Sequence, residues 1–206
     1  MGRAMPDIKK FTTDDIILSL CDSVTYVLSS ATKQDVNFTP MIQKITKTAL
    51  RPDIGTFVLF TGSFSGLVVI NFPKSTAMDI YKHYMMSMGI SENDLAVNHT
   101  SDEVSNSLGE LMNQILGHFT GRISAKLHST IHQSQPKMLA LPHVVQISIN
   151  IALDHPKMRR VTFYTHENHV FYVDIAIDDT EFTAAREIEE GHELTPDEIL
   201  EQYKNL

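Results

Sequence analysis

The sequence contains no tryptophan, a single cysteine and no apolar run near the roughly 18 residues that a membrane-spanning helix requires. One cysteine cannot form an intramolecular disulfide, so nothing in the composition argues for an oxidising compartment. The N-terminal residues, MGRAMPDIKK, lack the apolar segment of a secretory signal peptide. These absences predict a cytoplasmic protein that does not enter a membrane.

Basic clusters are also absent, since no run of lysine or arginine is longer than two residues. The formal charge is −8, and ten of the 25 acidic residues lie between Asp178 and Glu201, so the rest of the chain is close to neutral. Nucleic-acid binding favours a basic patch interleaved with aromatic residues, and this sequence predicts no nucleic-acid partner.

The length of 206 residues and the 42% apolar composition predict one domain, 1–206, with one good-sized core. Helical spacing is found at 12–31 and 73–88, and β-type patterns are found at 41–50, 56–61, 66–72, 138–141, 144–153, 158–165 and 170–177. Residues 62–65 and 167–168 are predicted to turn two hairpins between neighbouring strands. We read 35–40 and 126–136 as loops, the latter including a helix end. The acidic residues 178–193 are interpreted as a solvated linker before a short C-terminal helix ending at Leu206.

The longest predicted helix, Thr100–Ser124, organises the rest of the chain. Thr100 and Glu103 form a capping-box pattern at its start. At 100° per residue, the apolar side chains share one stripe that should face the core, namely Val104, Leu108, Leu111, Ile115 and Phe119. The order of elements looks like a rough duplication. It predicts an α+β fold in which two long helices pack on one face of a mainly antiparallel sheet.

The opposite face of this helix is polar and contains Asn106, Glu110, Asn113 and Gly117. Gly109, Gly117 and Gly121 lie in or beside this face, although a glycine costs a helix interior about 1 kcal/mol relative to alanine. A Glu-x-x-Asn pattern alone is usually an ordinary solvated surface. Together, the glycines and the polar pair predict a face that another molecule approaches closely.

The pattern Gly109-Glu110-x-x-Asn113-x-x-x-Gly117, followed by a proline and an apolar strand, resembles the phosphatase helix of the CheC/CheX family of chemotaxis proteins. The resemblance extends from about Thr12 to Ile177 and is most specific from Ser107 to Val145. It implies a pseudo-duplicated CheC/CheX-like fold. It also implies that Glu110 and Asn113 act catalytically on the phospho-aspartate of a CheY-like response regulator.

The resemblance further implies that Asn106, Gly109, Gly117 and Pro142 contact the partner. Asn106 stands where the family has Asp or Ser, and Pro136 is a second candidate for the family's proline. The first helix has no Glu-x-x-Asn, so the pattern is closer to single-site CheX than to two-site CheC. The resemblance implies that this chain holds no cofactor of its own and that the regulator binds Mg²⁺. It also implies a homodimer, and unpaired sheet edges favour the same assembly.

The residue chemistry agrees with such a role. An Asn amide can hold a water and aim it at an electrophile, but it is no base near neutral pH, so it helps most where the substrate is already activated. Glu110 would repel a phosphoryl group, and its natural partner is a lysine of the regulator. The alternative is a non-catalytic adaptor of the same fold that binds a response regulator or a flagellar switch protein.

Other candidate sites are weaker. His128 and His132 are spaced i, i+4, but no carboxylate lies between them in the His-Glu-x-x-His manner, so we predict no metal site. Cys21 lies in an apolar helical run and is interpreted as a buried structural thiol. His118 lies near the polar face of the central helix and is interpreted as an ordinary surface residue.

Overall fold

The computed structural model describes residues 10–179 and 182–183. The predicted C-terminal helix and most of the predicted acidic linker lie outside these residues. The helices are α1 (Thr13–Thr32), α2 (Lys74–Ser87) and α3 (Asp102–Leu127), with a 3-10 turn at Glu92–Asp94. The strands are β1 (Lys10–Phe11), β2 (Val36–Phe38), β3 (Gln43–Lys44), β4 (Thr48–Leu50), β5 (Ile54–Gly62), β6 (Gly66–Phe72), β7 (Ile131–Gln133), β8 (Lys137–Ala140), β9 (Ile147–Ile149), β10 (Lys157–Thr165), β11 (Val170–Ile177) and β12 (Phe182–Thr183).

Most of the described strands form one antiparallel sheet in the order β2-β10-β11-β6-β5-β7, with β3 also beside β10 and β8 also beside β5. Two further antiparallel pairs are β1–β12 and β4–β9. The predicted hairpin turn at 62–65 is confirmed, and Phe60 faces Gly66 across it. A side chain at Gly66 would overlap the Phe60 ring, which explains the glycine there. The antiparallel α+β architecture is therefore as predicted.

The three helices cover one face of this sheet. Alternate strand residues such as Val68 and Ile70 are buried with the apolar stripes of the helices, as the period of two in a strand requires. Residues of the other parity, such as Leu67 and Val69, belong to a smaller cluster on the opposite face. The two long helices α1 and α3 lie on one face as predicted, and the shorter α2 packs beside them. Among the described residues, no helix is long and apolar enough to cross a membrane.

The beginning of α3 differs from the prediction. Ser101, not Thr100, is the N-cap, and its hydroxyl accepts a hydrogen bond from the Val104 amide at 3.3 Å. Glu103 does not close a capping box, because its carboxylate accepts a hydrogen bond from the Tyr81 hydroxyl at 2.7 Å. The helix also continues to Leu127, beyond the predicted end at Ser124. Ser101 therefore caps the helix locally, and Glu103 makes a tertiary contact with α2 in place of its predicted capping-box bond.

Several strand predictions are wrong in detail. The predicted strand 41–50 is two short strands, β3 and β4, and the predicted loops at 35–40 and 126–136 contain β2 and β7. Only Ile147–Ile149 of the predicted strand 144–153 is a strand, and Val144 is 94% exposed. The described residues of the predicted linker contact the rest of the domain. The Asp178 carboxylate accepts a hydrogen bond from the Ser65 amide at 3.1 Å, and β12 pairs with β1. Each of these pieces pairs with a distant strand, which local periodicity does not encode.

Candidate functional site

The outer face of α3 is exposed as the sequence predicts. Asn106, Glu110, Asn113 and Gly117 are all exposed. The apolar stripe beneath them, from Val104 through Leu108, Leu111 and Ile115 to Phe119, is buried. The helical period therefore separates a core-forming face from a polar face that the rest of the domain leaves open.

A shallow open depression of about 390 Å³ lies beside this face. One wall is formed by α3, and the other is formed by the segment that enters β8. The residues that line it are Ser105, Asn106, Gly109, Glu110, Asn113, Gln135, Pro136 and Met138. The structure thus brings four of the predicted site residues into one concave surface, and adds Gln135, Pro136 and Met138 to them.

The side chains of Glu110 and Asn113 are available for an external partner. Within the described part of the chain, the Glu110 carboxylate accepts one side-chain hydrogen bond, from Gln114 Nε2 at 3.1 Å, and has no lysine or arginine in an ion pair. Among the same residues the Asn113 amide makes no side-chain hydrogen bond. One turn separates the two groups on the helix, so a carboxylate and an amide face the same depression.

The glycines of α3 are not explained by packing within the chain. A Cβ at Gly117 or Gly121 would meet nothing within 4 Å, and one at Gly109 would lie 3.7 Å from Met138 Cγ, an ordinary contact. Because alanine would fit at all three positions and favour the helix, the fold itself does not require these glycines. Without side chains at these positions, the backbone on the outer face of α3 is accessible to a close contact.

Of the two candidate prolines, Pro136 lines the depression. It directly precedes β8, which pairs with β5. Pro142 lies after β8 and outside the depression, exposed in a segment where its carbonyl accepts a hydrogen bond from the Val145 amide at 2.9 Å. The predicted contact role of Pro142 therefore has no geometric link to Glu110 and Asn113 in this surface, whereas Pro136 has one.

His118 links α3 to the neighbouring helix α1. His118 of α3 is half-buried against it, with Nδ1 3.0 Å from Ser23 Oγ and its ring stacked on Tyr26 at 4.7 Å between centroids. Burial, and then the nearby charge of Arg122, lowers the pKa of His118. His118 is therefore an interhelical contact rather than the ordinary surface residue that the sequence suggested.

The single cysteine is inert by position. Cys21 is a free thiol on the buried, core-facing side of α1. Burial, followed by the adjacent charge of Asp22, raises its pKa to about 12. The thiolate is the reactive form, so this environment confirms the interpretation of Cys21 as a structural thiol.

A second polar cluster lies where α2 meets the β10–β11 turn, and the sequence analysis missed it. Asp79 and His83 of α2 lie beside Glu167 and His169 of the turn. The i, i+4 spacing of Asp79 and His83 was a visible local signal. Their approach to the turn depends on tertiary structure, so the sequence pattern alone did not reveal it.

Solved structures show which class of protein has this fold. The chain is similar to the chemotaxis protein CheX from Desulfovibrio desulfuricans, with 17% identity, a TM-score of 0.65, and 80% of this chain and 99% of that chain covered. Borrelia burgdorferi CheX, solved in a complex with CheY, BeF3 and Mg²⁺, gives 18% identity, a TM-score of 0.59, and 80% and 98% coverage. Thermotoga maritima FliY has 22% identity and a TM-score of 0.55, with 81% of this chain and 91% of that chain covered. The fold is that of the CheC/CheX-like chemotaxis proteins.

A family model described as "Protein of unknown function (DUF3334)" matches residues 7–206, and the chain belongs to that family. No curated protein sequence matches this chain.

Proposed function

We propose that the chain is a phosphatase that hydrolyses the phospho-aspartate of a CheY-like response regulator. The observation that carries the proposal is the pair Glu110 and Asn113, one turn apart and exposed in an open depression on a CheX-like fold, with no ion pair to any described residue. The depression is open to solvent rather than enclosed, which suits the surface of a partner protein better than a buried small metabolite. The solved complex of Borrelia burgdorferi CheX with CheY shows one such pairing for a protein of this fold.

In this proposal Asn113 positions the attacking water. Its amide holds the water by a hydrogen bond and directs the oxygen lone pair at phosphorus, so the gain comes from orientation rather than proton transfer. The new oxygen–phosphorus bond forms as the bond to the aspartyl oxygen breaks, which releases inorganic phosphate and a free carboxylate. Because the acyl phosphate is already activated towards hydrolysis, an amide that orients the water can accelerate the reaction without a general base.

Glu110 has a binding role in the same proposal. Its carboxylate has no cationic partner among the described residues and accepts one hydrogen bond from Gln114. A lysine of the regulator's active site would complete an ion pair with it and draw the phosphoryl group towards Asn113. The regulator supplies the Mg²⁺ that neutralises charge on the phosphoryl oxygens, and this chain contributes no cofactor to the reaction. Such a reaction places the protein in the cytoplasm with its regulator.

The second candidate is a non-catalytic adaptor with the same binding face. Asn106, which replaces the family's Asp or Ser, lines the depression and favours this alternative. The deciding experiment mixes the protein with a Mg²⁺-bound, phosphorylated regulator from the same genome and follows phosphate release. Accelerated release supports the phosphatase, and binding without acceleration supports the adaptor.

We also propose that the protein forms a homodimer. In the described sheet, β2 and β3 lie at one edge and β7 and β8 at the other, and each is a short strand with a partner on one side. Unpaired backbone groups on such edges favour edge-to-edge pairing between copies. Light scattering at micromolar protein should report twice the chain mass of 23.2 kDa, and a monomer mass would contradict the proposal.

A further inference from the structure

The cluster where α2 meets the β10–β11 turn joins two elements that are far apart in sequence. Asp79 and His83 lie one turn apart on α2, and Thr165, Glu167 and His169 belong to the hairpin turn and its flanks. Thr165 Oγ1 donates a hydrogen bond to Asp79 Oδ2 at 2.6 Å, and His169 Nδ1 lies 3.0 Å from the same oxygen. The second carboxylate oxygen, Asp79 Oδ1, faces His83 Nδ1 at 2.9 Å.

From this geometry we propose that Asp79, His83 and Glu167 form a binding site for a divalent first-row transition-metal ion such as Zn²⁺. One ligand atom from each of the three residues lies within 4.8 Å of the other two. Tetrahedral zinc has bonds of about 2.0–2.1 Å, which separates neighbouring ligand atoms by about 3.3 Å. The Asp79–His83 pair is already near that spacing, and the exposed Glu167 side chain can adjust to complete the set.

The charges favour a cation at this point. The Asp79 side chain is only 6% exposed, and among the described residues no lysine or arginine is in an ion pair with it. Lys82, on the same helix, is paired instead with Glu92 at 2.6 Å. Two carboxylates therefore converge where, among the described residues, the side chains facing the buried one are His83, His169 and Thr165. A metal ion would replace the Nδ1 proton of His83 and neutralise both carboxylates.

The donor set indicates the class of ion. An imidazole nitrogen with two carboxylates suits zinc, cobalt or manganese, whereas calcium and magnesium prefer oxygen ligands only. His169 and Thr165 hold Asp79 Oδ2, the oxygen that does not face His83, and such outer hydrogen bonds are typical partners of a metal-binding carboxylate. An open groove of about 420 Å³ lined by Glu92, Val97 and the cluster gives an ion access. The site would fasten α2 to the hairpin and does not depend on the proposed phosphatase activity.

The test is titration of the full chain with zinc chloride in a calorimeter, with Co²⁺ absorption as a spectroscopic readout of coordination. We expect one ion per chain, and a loss of affinity of about tenfold or more in Glu167→Gln and His83→Ala. Glu167 is 54% exposed, so Glu167→Gln should keep its fold, which circular dichroism can check.

The matched controls are Asp94→Asn, an exposed carboxylate of the 3-10 turn, and His132→Ala, an exposed histidine elsewhere. Both should bind zinc as the wild type does. Zinc should also raise the thermal midpoint of the wild type and of Asp94→Asn but not of Glu167→Gln. The proposal is overturned if the wild type shows no saturable binding, or if Glu167→Gln and His83→Ala bind zinc with unchanged affinity.

Discussion

The inner and outer faces of α3 obey different physical requirements. Inner residues such as Leu111 and Phe119 are fully buried, and packing against α1 and the sheet accounts for each of them. Outer residues such as Glu110 and Asn113 form no ion pair with any described residue. Alanine would also fit at the exposed glycines of this face. The fold explains the inner face completely and leaves the outer face unexplained. The proposed contact with a response regulator would account for the outer face.

The largest effect should come from breaking the inner face. Phe119 is fully buried and packs edge-on against Phe60 at 5.9 Å between ring centroids. Phe119→Ala should lower the free energy of unfolding by about 3–5 kcal/mol, because it removes buried apolar area and leaves a cavity. Denaturant unfolding measures this loss. The matched control is Asn113→Ala, which should change the stability by less than about 0.5 kcal/mol.

The next largest effect concerns chemistry at the outer face. Asn113→Ala should reduce hydrolysis of the phosphorylated regulator by about 100-fold or more, since the lost orientation acts mainly in the transition state. A phosphate-release assay gives the rate. Asn93→Ala is the control, because Asn93 is an exposed amide of the 3-10 turn that does not line the depression. Equal losses in both variants would contradict a specific role for Asn113.

A smaller effect is expected for binding through Glu110. Glu110→Gln should weaken association with the regulator by about three- to tenfold and reduce the dependence of affinity on salt, since one interfacial ion pair is lost. Calorimetry at two salt concentrations measures both quantities. Glu103→Gln provides a contrast, because that carboxylate is engaged by Tyr81 and does not line the depression. Unchanged affinity and salt dependence in Glu110→Gln would refute the ion pair.

The smallest effect is expected at the outer glycines. Gly117→Ala should raise the free energy of unfolding by about 0.5–1 kcal/mol, because alanine favours a helix and its Cβ meets open space. If a partner lies close to this face, the same variant should bind the regulator more weakly than the wild type. Thermal unfolding and calorimetry test the two parts. A stabilised variant with full affinity would show that the glycine is not needed for binding.

The sequence predicted elements in which local pattern and tertiary packing agree. The apolar stripe of α3, the hairpin β5–β6 and the hairpin β10–β11 are found where they were expected. Asn168 turns the second hairpin with a φ of 63°, a conformation that asparagine tolerates. In contrast, β2 and β7 pair with strands that are distant in sequence, and their own residues show no clear alternation of apolar and polar side chains. Their pairing could not be inferred from the local pattern.

Part of the candidate site was also predictable. Glu110 and Asn113 follow from the motif, and their exposure follows from the helical period. Pro142 was preferred over Pro136 because the apolar run after it resembles a strand, but Val144 in that run is almost fully exposed. The Asp79 cluster was missed because its members come from α2 and a hairpin turn nearly ninety positions later, which only the folded chain joins.

The most direct test of the proposed activity is a single-turnover titration of the protein against a fixed amount of phosphorylated regulator, with wild type and Asn113→Ala side by side. The plateau reports the chemical step, and the half-saturating concentration reports binding. We expect the plateau to fall by about 100-fold in Asn113→Ala while half-saturation is unchanged. If saturating amounts of both proteins bind the regulator but leave its own rate of phosphate loss unchanged, α3 is a docking surface and the protein is an adaptor. Equal plateaus above that rate would contradict the role proposed for Asn113.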